Sequence, residues 1–274
     1  MQILDKDIIK KEILPYLSKG KRGFEILVSK YQIVEAILYK LKTGCQWAFI
    51  PVSQFITGRD YSWQSIYYHY SKWSKDGSWE NIWHNVLKNH KDVLDLSSIQ
   101  IDGSHTPAKK GGEAVSYQGR KKSKTSNIIF LSDNIGNMLG FSDVYGGKHN
   151  DLYKISDSFE QMFVPLKAAN IPTEGLFLNG DAGFDSKELR KICFQKDIFA
   201  NFDLNKRNGR LDDYETYDQV FDYELYKKRF VIERSNAWLD SFKTILIRFT
   251  IKALNWRSLH YIALTVRLLK KKFK

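Results

Sequence analysis

Cysteine is almost missing from the chain: two residues, Cys45 and Cys193, stand far apart in 274 and belong to no Cys/His cluster. That excludes a disulfide framework and a cysteine-based zinc site, and it fits a reducing compartment. Long apolar runs are missing too. No stretch approaches the roughly 18 residues needed to span a bilayer, and the amino terminus lacks the basic, apolar, small-residue order of a signal peptide. The expectation is a soluble, cytoplasmic protein. No internal repeat or low-complexity tract interrupts the sequence, so solenoids and disordered tails are set aside. Acidic charge is scarce relative to basic charge, and the formal net charge of +12 points to a polyanionic partner, nucleic acid first of all.

The charge is unevenly distributed. Residues 126–225 carry 10 Lys and Arg against 17 Asp and Glu, whereas residues 226–274 carry 13 against 2. One short charge run usually marks a solvated helix face. An excess sustained over the last 49 residues points instead to phosphate contact.

Hydrophobic spacing divides the chain near residue 95. Before it, YQIVEAILYKLKT has a helical stripe, Ile33, Ile37, Leu38 and Leu41, with Gly44 as its stop. Ser62 caps a second helix bearing Ile66, Tyr67, Tyr70 and Trp73, and a third begins near Ser78. Short helices with tight links suit either a helix-turn-helix unit, presenting Gln64, Tyr68, His69 and Lys72 outward, or a small aromatic-cored bundle. After Leu96, SIQIDGSH, SNIIFLSD and MLGFSDVYG read as three adjacent strands, followed by alternating helix and strand through DLYKISDSFEQMF, GLFLNGDAGF, SKELRKICFQKD and DIFANFDL. That order requires a mixed sheet flanked by helices. The expected domains are 1–95, all-helical, and 96–274, α/β with basic helices at its end. A polar stretch from Asn205 to Asp222 reads as a loop.

Two aspartates follow apolar strands: Asp102 after SIQI and Asp181 after LFLNG. Ligands of open sheets bind beyond the carboxyl ends of strands, which singles out acids placed there. Glu233 lies off the apolar stripe Val231, Trp238, Phe242 and Ile245. On an uninterrupted helix, Tyr226, Arg229 and Glu233 share a face at i, i+3 and i+7. Three carboxylates can hold a pair of hard cations such as magnesium, an arrangement suited to in-line phosphodiester displacement, with Arg229 neutralising phosphate.

These residues carry a resemblance to a known family. LPYLSKGKRG, AILYKLKTGCQWAFIP, SWQSIYYHYSKWSKDGSWE, IDGSHTPAKKGGEAVSYQGRKKSKT, HNDLY, GLFLNGDAGFDSKELRK and YKKRFVIERSNAWLDSFK together resemble the DDE transposases of bacterial insertion sequences, in the insertion-sequence four and five group. The resemblance implies a ribonuclease H-like catalytic domain, a helical DNA-binding region before it, and a metal triad of Asp102, Asp181 and Glu233 using two Mg2+, with Mn2+ as a substitute. It implies cleavage at insertion-sequence ends, strand transfer into target DNA, double-stranded terminal inverted repeats as partner, and a homodimer on DNA. The family's last motif runs Tyr, Arg, Glu, Lys. Tyr226, Arg229 and Glu233 fit, but position 240 is Asp, which leaves Lys243 or Arg234 for the terminal-phosphate contact.

Further DNA contacts are expected from Lys109, Lys110, Arg120, Lys121, Lys122 and Lys124, in the loop after Asp102. His149 stands either near the metal site or as a turn histidine bonded to Asp151. Asp185 is expected to cap the helix that follows, with Glu188 at capping-box spacing, and Trp238 to lie in the core. Two rival readings stay open: a ribonuclease H-fold nuclease without strand transfer, and a non-enzymatic DNA-binding descendant of a transposase.

Overall fold

The computed structural model describes residues 2–19, 28–205 and 221–273. The expected loop between Asn205 and Asp222 lies, apart from its ends, outside the described residues. The first helices form where spacing and caps dictate. α1 (Lys6–Glu12) starts at Asp5, whose carboxylate accepts the Asp7 N–H at 2.8 Å. α2 (Lys30–Thr43) buries Ile33, Ile37, Leu38 and Leu41 and ends at Gly44, which adopts the left-handed φ of 71° that glycine tolerates best. After the single turn α3 (Val52–Phe55), α4 (Trp63–Lys75) starts at Ser62, whose Oγ accepts the Ser65 N–H, and α5 (Ser78–Asn89) follows.

The sheet begins with β1 (Ile99–Pro107) and continues through β2 (Ser116–Gln118), β3 (Ser123–Asp133), β4 (Met138–Phe141) and β5 (Tyr145–Gly146). α6 (Ile155–Ala168), β6 (Phe177–Gly180), α7 (Lys187–Gln195) and β7 (Phe199–Phe202) complete the alternation. β3 is antiparallel to β1, and β4 to β3, whereas β1, β6 and β7 run parallel. A meander of antiparallel strands joined at β1 to two parallel strands, with helical crossovers, is the ribonuclease H-like mixed sheet.

The chain ends in α8 (Tyr223–Lys227), α9 (Val231–Leu239), α10 (Lys243–Leu246) and α11 (Ala253–Lys272). Contacts divide the chain into two compact units, Met1–Val86 with Ala108–Glu113 and Leu239–Lys274, and Leu87–Pro107 with Ala114–Trp238. The C-terminal segment therefore groups with the N-terminal helices, whereas the sequence expectation kept 96–274 together. The physical reason is apolar: α11 buries Trp256, Leu259, Ile262, Leu264, Val266 and Leu269, and the Tyr70 hydroxyl of α4 donates to the Asn255 carbonyl. Part of the basic excess is structural as well. Arg248 is fully buried and donates to the carbonyls of Thr250, Glu113 and Ile251.

In the second unit a line of amides crosses the parallel strands. Gln100, Asn179 and Asn201 occupy one register, and all three are fully buried. Asn201 Nδ2 donates to Asn179 Oδ1 at 2.6 Å, and Asn179 Nδ2 donates to Gln100 Oε1 at 2.8 Å. The far end accepts the Asp222 N–H at 2.9 Å, and Asp222 in turn caps α8 by accepting from the Leu225 N–H. Buried amides cost free energy unless each finds a partner, so the ladder tolerates one register only. Gly180 admits the same close packing, because a Cβ there would stand 2.8 Å from Ile101 Cγ2.

Asn179→Leu should strand the amides of Gln100 and Asn201 and cost about 2–4 kcal/mol of stability. Urea denaturation followed by far-UV circular dichroism measures it; a midpoint equal to that of the parent would show that the ladder contributes nothing.

Candidate active site

Strand register brings the two aspartates together. Gln100 pairs with Asn179 across the parallel β1–β6 edge. Two residues beyond that last pair, Asp102 and Asp181 stand at equal offsets along neighbouring parallel strands, and the Asp181 charge reaches Asp102. Asp181 directly follows β6, is exposed, and its Oδ1 accepts the Gly183 N–H at 2.8 Å, closing a short turn. Asp102 is held by both oxygens. Oδ1 accepts the Gly103 N–H at 2.9 Å, and Oδ2 accepts Nδ2 of Asn236 at 2.8 Å. Asn236 lies on α9, one turn beyond the exposed Glu233, so this bond ties the Glu233 helix to β1.

Asp151 is a fourth acid. Its Oδ1 accepts Nδ2 of Asn127 at 2.7 Å and stands 3.9 Å from His105 Nε2. Its carboxylate packs so closely on Gly103 that no Cβ could be accommodated there. Burial pushes the Asp102 carboxyl up to about 7; the charges of Asp151, Asp181 and Glu233 act in the same direction, against the Gly103 N–H. The charges of three other acids thus reach Asp102. Asp151 and Asn236 escaped the sequence reading. The signals were the HND triplet, read for its histidine, and an asparagine one helical turn from Glu233.

Tyr226 and Arg229 border this site, though not on one uninterrupted helix. A 3-10 turn, Lys228–Phe230, separates α8 from α9, so the i, i+3, i+7 alignment expected for a continuous α-helix does not hold. The Arg229 guanidinium instead stacks over two rings, 4.4 Å from the Tyr226 centroid and 3.9 Å from that of Phe230. Burial raises the Tyr226 pKa; Arg229 lowers it, and Asp203 and Asp181 raise it. Carboxylate oxygens suit hard divalent cations. Among the described residues, however, no three Asp, Glu, His or Cys side chains stand close enough to share an ion as they are. The donor type fits such an ion, and the repulsion felt at Asp102 is what a divalent charge would relieve.

The DUF4096 family model, whose description names the transposases of the IS4/5 family, matches residues 10–83. The model described as the transposase DDE domain matches residues 93–267, more than half of the chain. The chain belongs to the DDE transposases. Among solved structures, this transposase is similar to the "Mos1 transposase paired-end complex with left transposon end", at 11% identity and a TM-score of 0.28 over 92% of this chain and 82% of that one. It is also similar to the "Mos1 mariner paired end complex with Mn", at 11% identity and a TM-score of 0.30 over 96% and 83%. Likeness that distant says nothing of the chemistry at Asp102. A search of curated proteins found no match.

Several expected contacts of the transposase sit differently in the structure. His69 is buried against Trp73, with no hydrogen-bond partner for Nδ1, so it does not face outward; Gln64 and Tyr68 of the same helix are exposed, and Lys72 is half-buried. The cap of α7 is Ser186, which accepts from the Leu189 N–H, and not Asp185. Asp185 is fully buried and accepts Arg190 Nε at 2.7 Å, because a buried guanidinium demands a carboxylate more than a helix end does. His149 stacks on Tyr153 with centroids 3.6 Å apart and leaves Asp151 to Asn127. The buried stripe of α9 is Ile232, Ser235 and Leu239, and Trp238 is half-buried. Lys243 opens α10 in the first unit, so its helical angle from Glu233 no longer applies, while Arg234 is exposed on α9 itself. Lys109, Lys110, Arg120, Lys121, Lys122 and Lys124 are all exposed, and Lys121 Nζ reaches the His105 carbonyl at 2.8 Å. No helix among the described residues is long and apolar enough to cross a membrane.

Because the folded state holds the Asp102 proton more tightly than the ordinary carboxylate does, stability falls as pH rises from about 4 through 7. In chelator-containing buffer, Asp102→Asn should raise the melting temperature at pH 8 and leave it unchanged at pH 4. An equal effect at both pH values would remove the electrostatic account.

Proposed function

We propose that Asp102, Asp181 and Glu233 hold two Mg2+, or Mn2+, for cleavage at insertion-sequence ends and for joining of the resulting 3′-hydroxyl to target DNA. What supports this reading is the β1–β6 register, in which Asp102 and Asp181 follow the paired Gln100 and Asn179 at equal offsets, together with the effect of the Asp181 and Glu233 charges on Asp102. When bound, the metal pair supplies Lewis acidity to the attacking and leaving oxygens of an in-line displacement.

The chain's own groups do the positioning. Gly103 and Asn236 fix the Asp102 carboxylate, and the outer lone pairs of both oxygens remain for a ligand. Asn127 fixes Asp151 beside it. Arg229 and the exposed Arg234 lie within five residues of Glu233 and offer planar donors for a scissile or terminal phosphate. The exposed basic residues from Lys109 to Lys124, with Gln64, Lys72 and Lys243, supply further contacts to double-stranded DNA, both the terminal repeats and the target. The family resemblance adds a homodimer on paired ends.

Asp102→Asn, Asp181→Asn and Glu233→Gln should each reduce plasmid excision to background, and near-normal excision by any one removes that residue from the triad. Asn236→Leu should retain the fold yet lose metal affinity or activity by about 10- to 100-fold, as is typical when a group orienting a ligand is removed. Mn2+ titration of cleavage reads the shift. Strand transfer is read separately, by supplying a pre-cut end; product from cleavage with none from joining would identify a nuclease.

A further inference from the structure

The first unit contains a cleft of about 760 Å³ in which none of the four acids takes part. Its walls are largely aromatic: Trp47, Phe49, Trp63, Tyr67, Tyr70 and Phe249 line it, with Ile251. Trp47 packs edge-on against Tyr67 at 5.1 Å and tilted by 35° against Tyr70 at 5.0 Å, which makes an aromatic floor of interlocked rings. Phe49 and Phe249 are 70% and 51% exposed, a costly placement for large rings that bind nothing. The charged residues of the lining are Lys40, Lys110 and Lys252, with no carboxylate among them. Asn255, only 2% exposed, lines the cleft as well; its Nδ2 donates to the Tyr67 hydroxyl, and its Oδ1 has no hydrogen-bond partner.

We propose that this cleft takes an unpaired nucleobase of the DNA, its face on the aromatic floor, its edge toward Asn255 and its phosphates toward Lys110 and Lys252. Ring walls suit the flat π-face of a base, which an intact duplex hides in its stack. Lysines without acids select an anionic ligand over an apolar peptide or a second copy of this basic chain. An amide with an unused acceptor can read a base edge. The inference rests on DNA as the substrate but not on which acids perform the chemistry, so its failure leaves the excision tests standing.

Cys45 lines the cleft and is part-exposed, whereas Cys193, the other cysteine, is fully buried and serves as an internal control. Iodoacetamide labelling of the full chain, read by mass spectrometry, should slow at Cys45 in the presence of a short oligothymidylate and stay unchanged with a blunt duplex of equal length. Phe49→Ala removes an exposed ring and should weaken oligothymidylate binding about tenfold with duplex affinity retained. Equal protection by both DNAs, or protection by neither at saturating concentration, overturns the proposal. So does protection without DNA that grows with protein concentration, the mark of a second copy in the cleft, or unaltered oligothymidylate affinity in Phe49→Ala.

Discussion

Three neutral amides hold the catalytic sheet in register. Gln100, Asn179 and Asn201 bond one another across β1, β6 and β7, and a slip of one residue would break both of those buried bonds. The geometry of the site depends on that register. Two residues beyond Gln100 stands Asp102, and two beyond Asn179 stands Asp181, so the ladder fixes the relative register of the strands that lead to both acids. Through Asp222 it also fixes where α8 begins, and hence where Tyr226 and Arg229 stand.

The acids add strain to this frame. Asp102, half-buried, holds its proton far above the ordinary carboxylate range, chiefly through burial and further through the charges of Asp151, Asp181 and Glu233. Removing a charge there relaxes the fold but would also remove one of the proposed metal ligands, the usual conflict between stability and function. Asn236 and Gly103 hold the carboxylate by one hydrogen bond to each oxygen.

Much of this was legible in the sequence. Strand order, the caps at Ser62 and Gly44, and the emergence of Asp181 from an apolar strand are local signals, and local signals survive folding. Asp102, expected at the end of a strand, lies instead inside β1, paired with Phe130, because the ladder with β3 carries the strand on to Pro107. What stayed hidden depends on contacts distant in sequence. Asn236 reaches Asp102 across 134 residues, and Asp151 reaches Asn127 across 24. Asp185 and Ser186 are both good capping residues, and only the buried Arg190 decides between them. The 3-10 turn between α8 and α9 breaks a periodicity that a helical wheel assumes throughout. His69 looked solvent-facing because the wheel of α4 was read for one packed side, whereas the helix also buries His69 against Trp73.

The first unit is discontinuous in sequence: its opening helices, the six residues Ala108–Glu113 and the closing 36 residues come from three separate places. Glu113 illustrates the dependence, since its carbonyl and its carboxylate answer Arg248 and the Ala253 N–H respectively. Such a unit cannot be inherited, duplicated or excised as one stretch of gene. A premature stop that spares every acid of the site would still strip α11 from beneath Tyr70 and the aromatic floor. Selection for an intact reading frame is therefore written into the packing of the final helix as firmly as into the residues that do the chemistry.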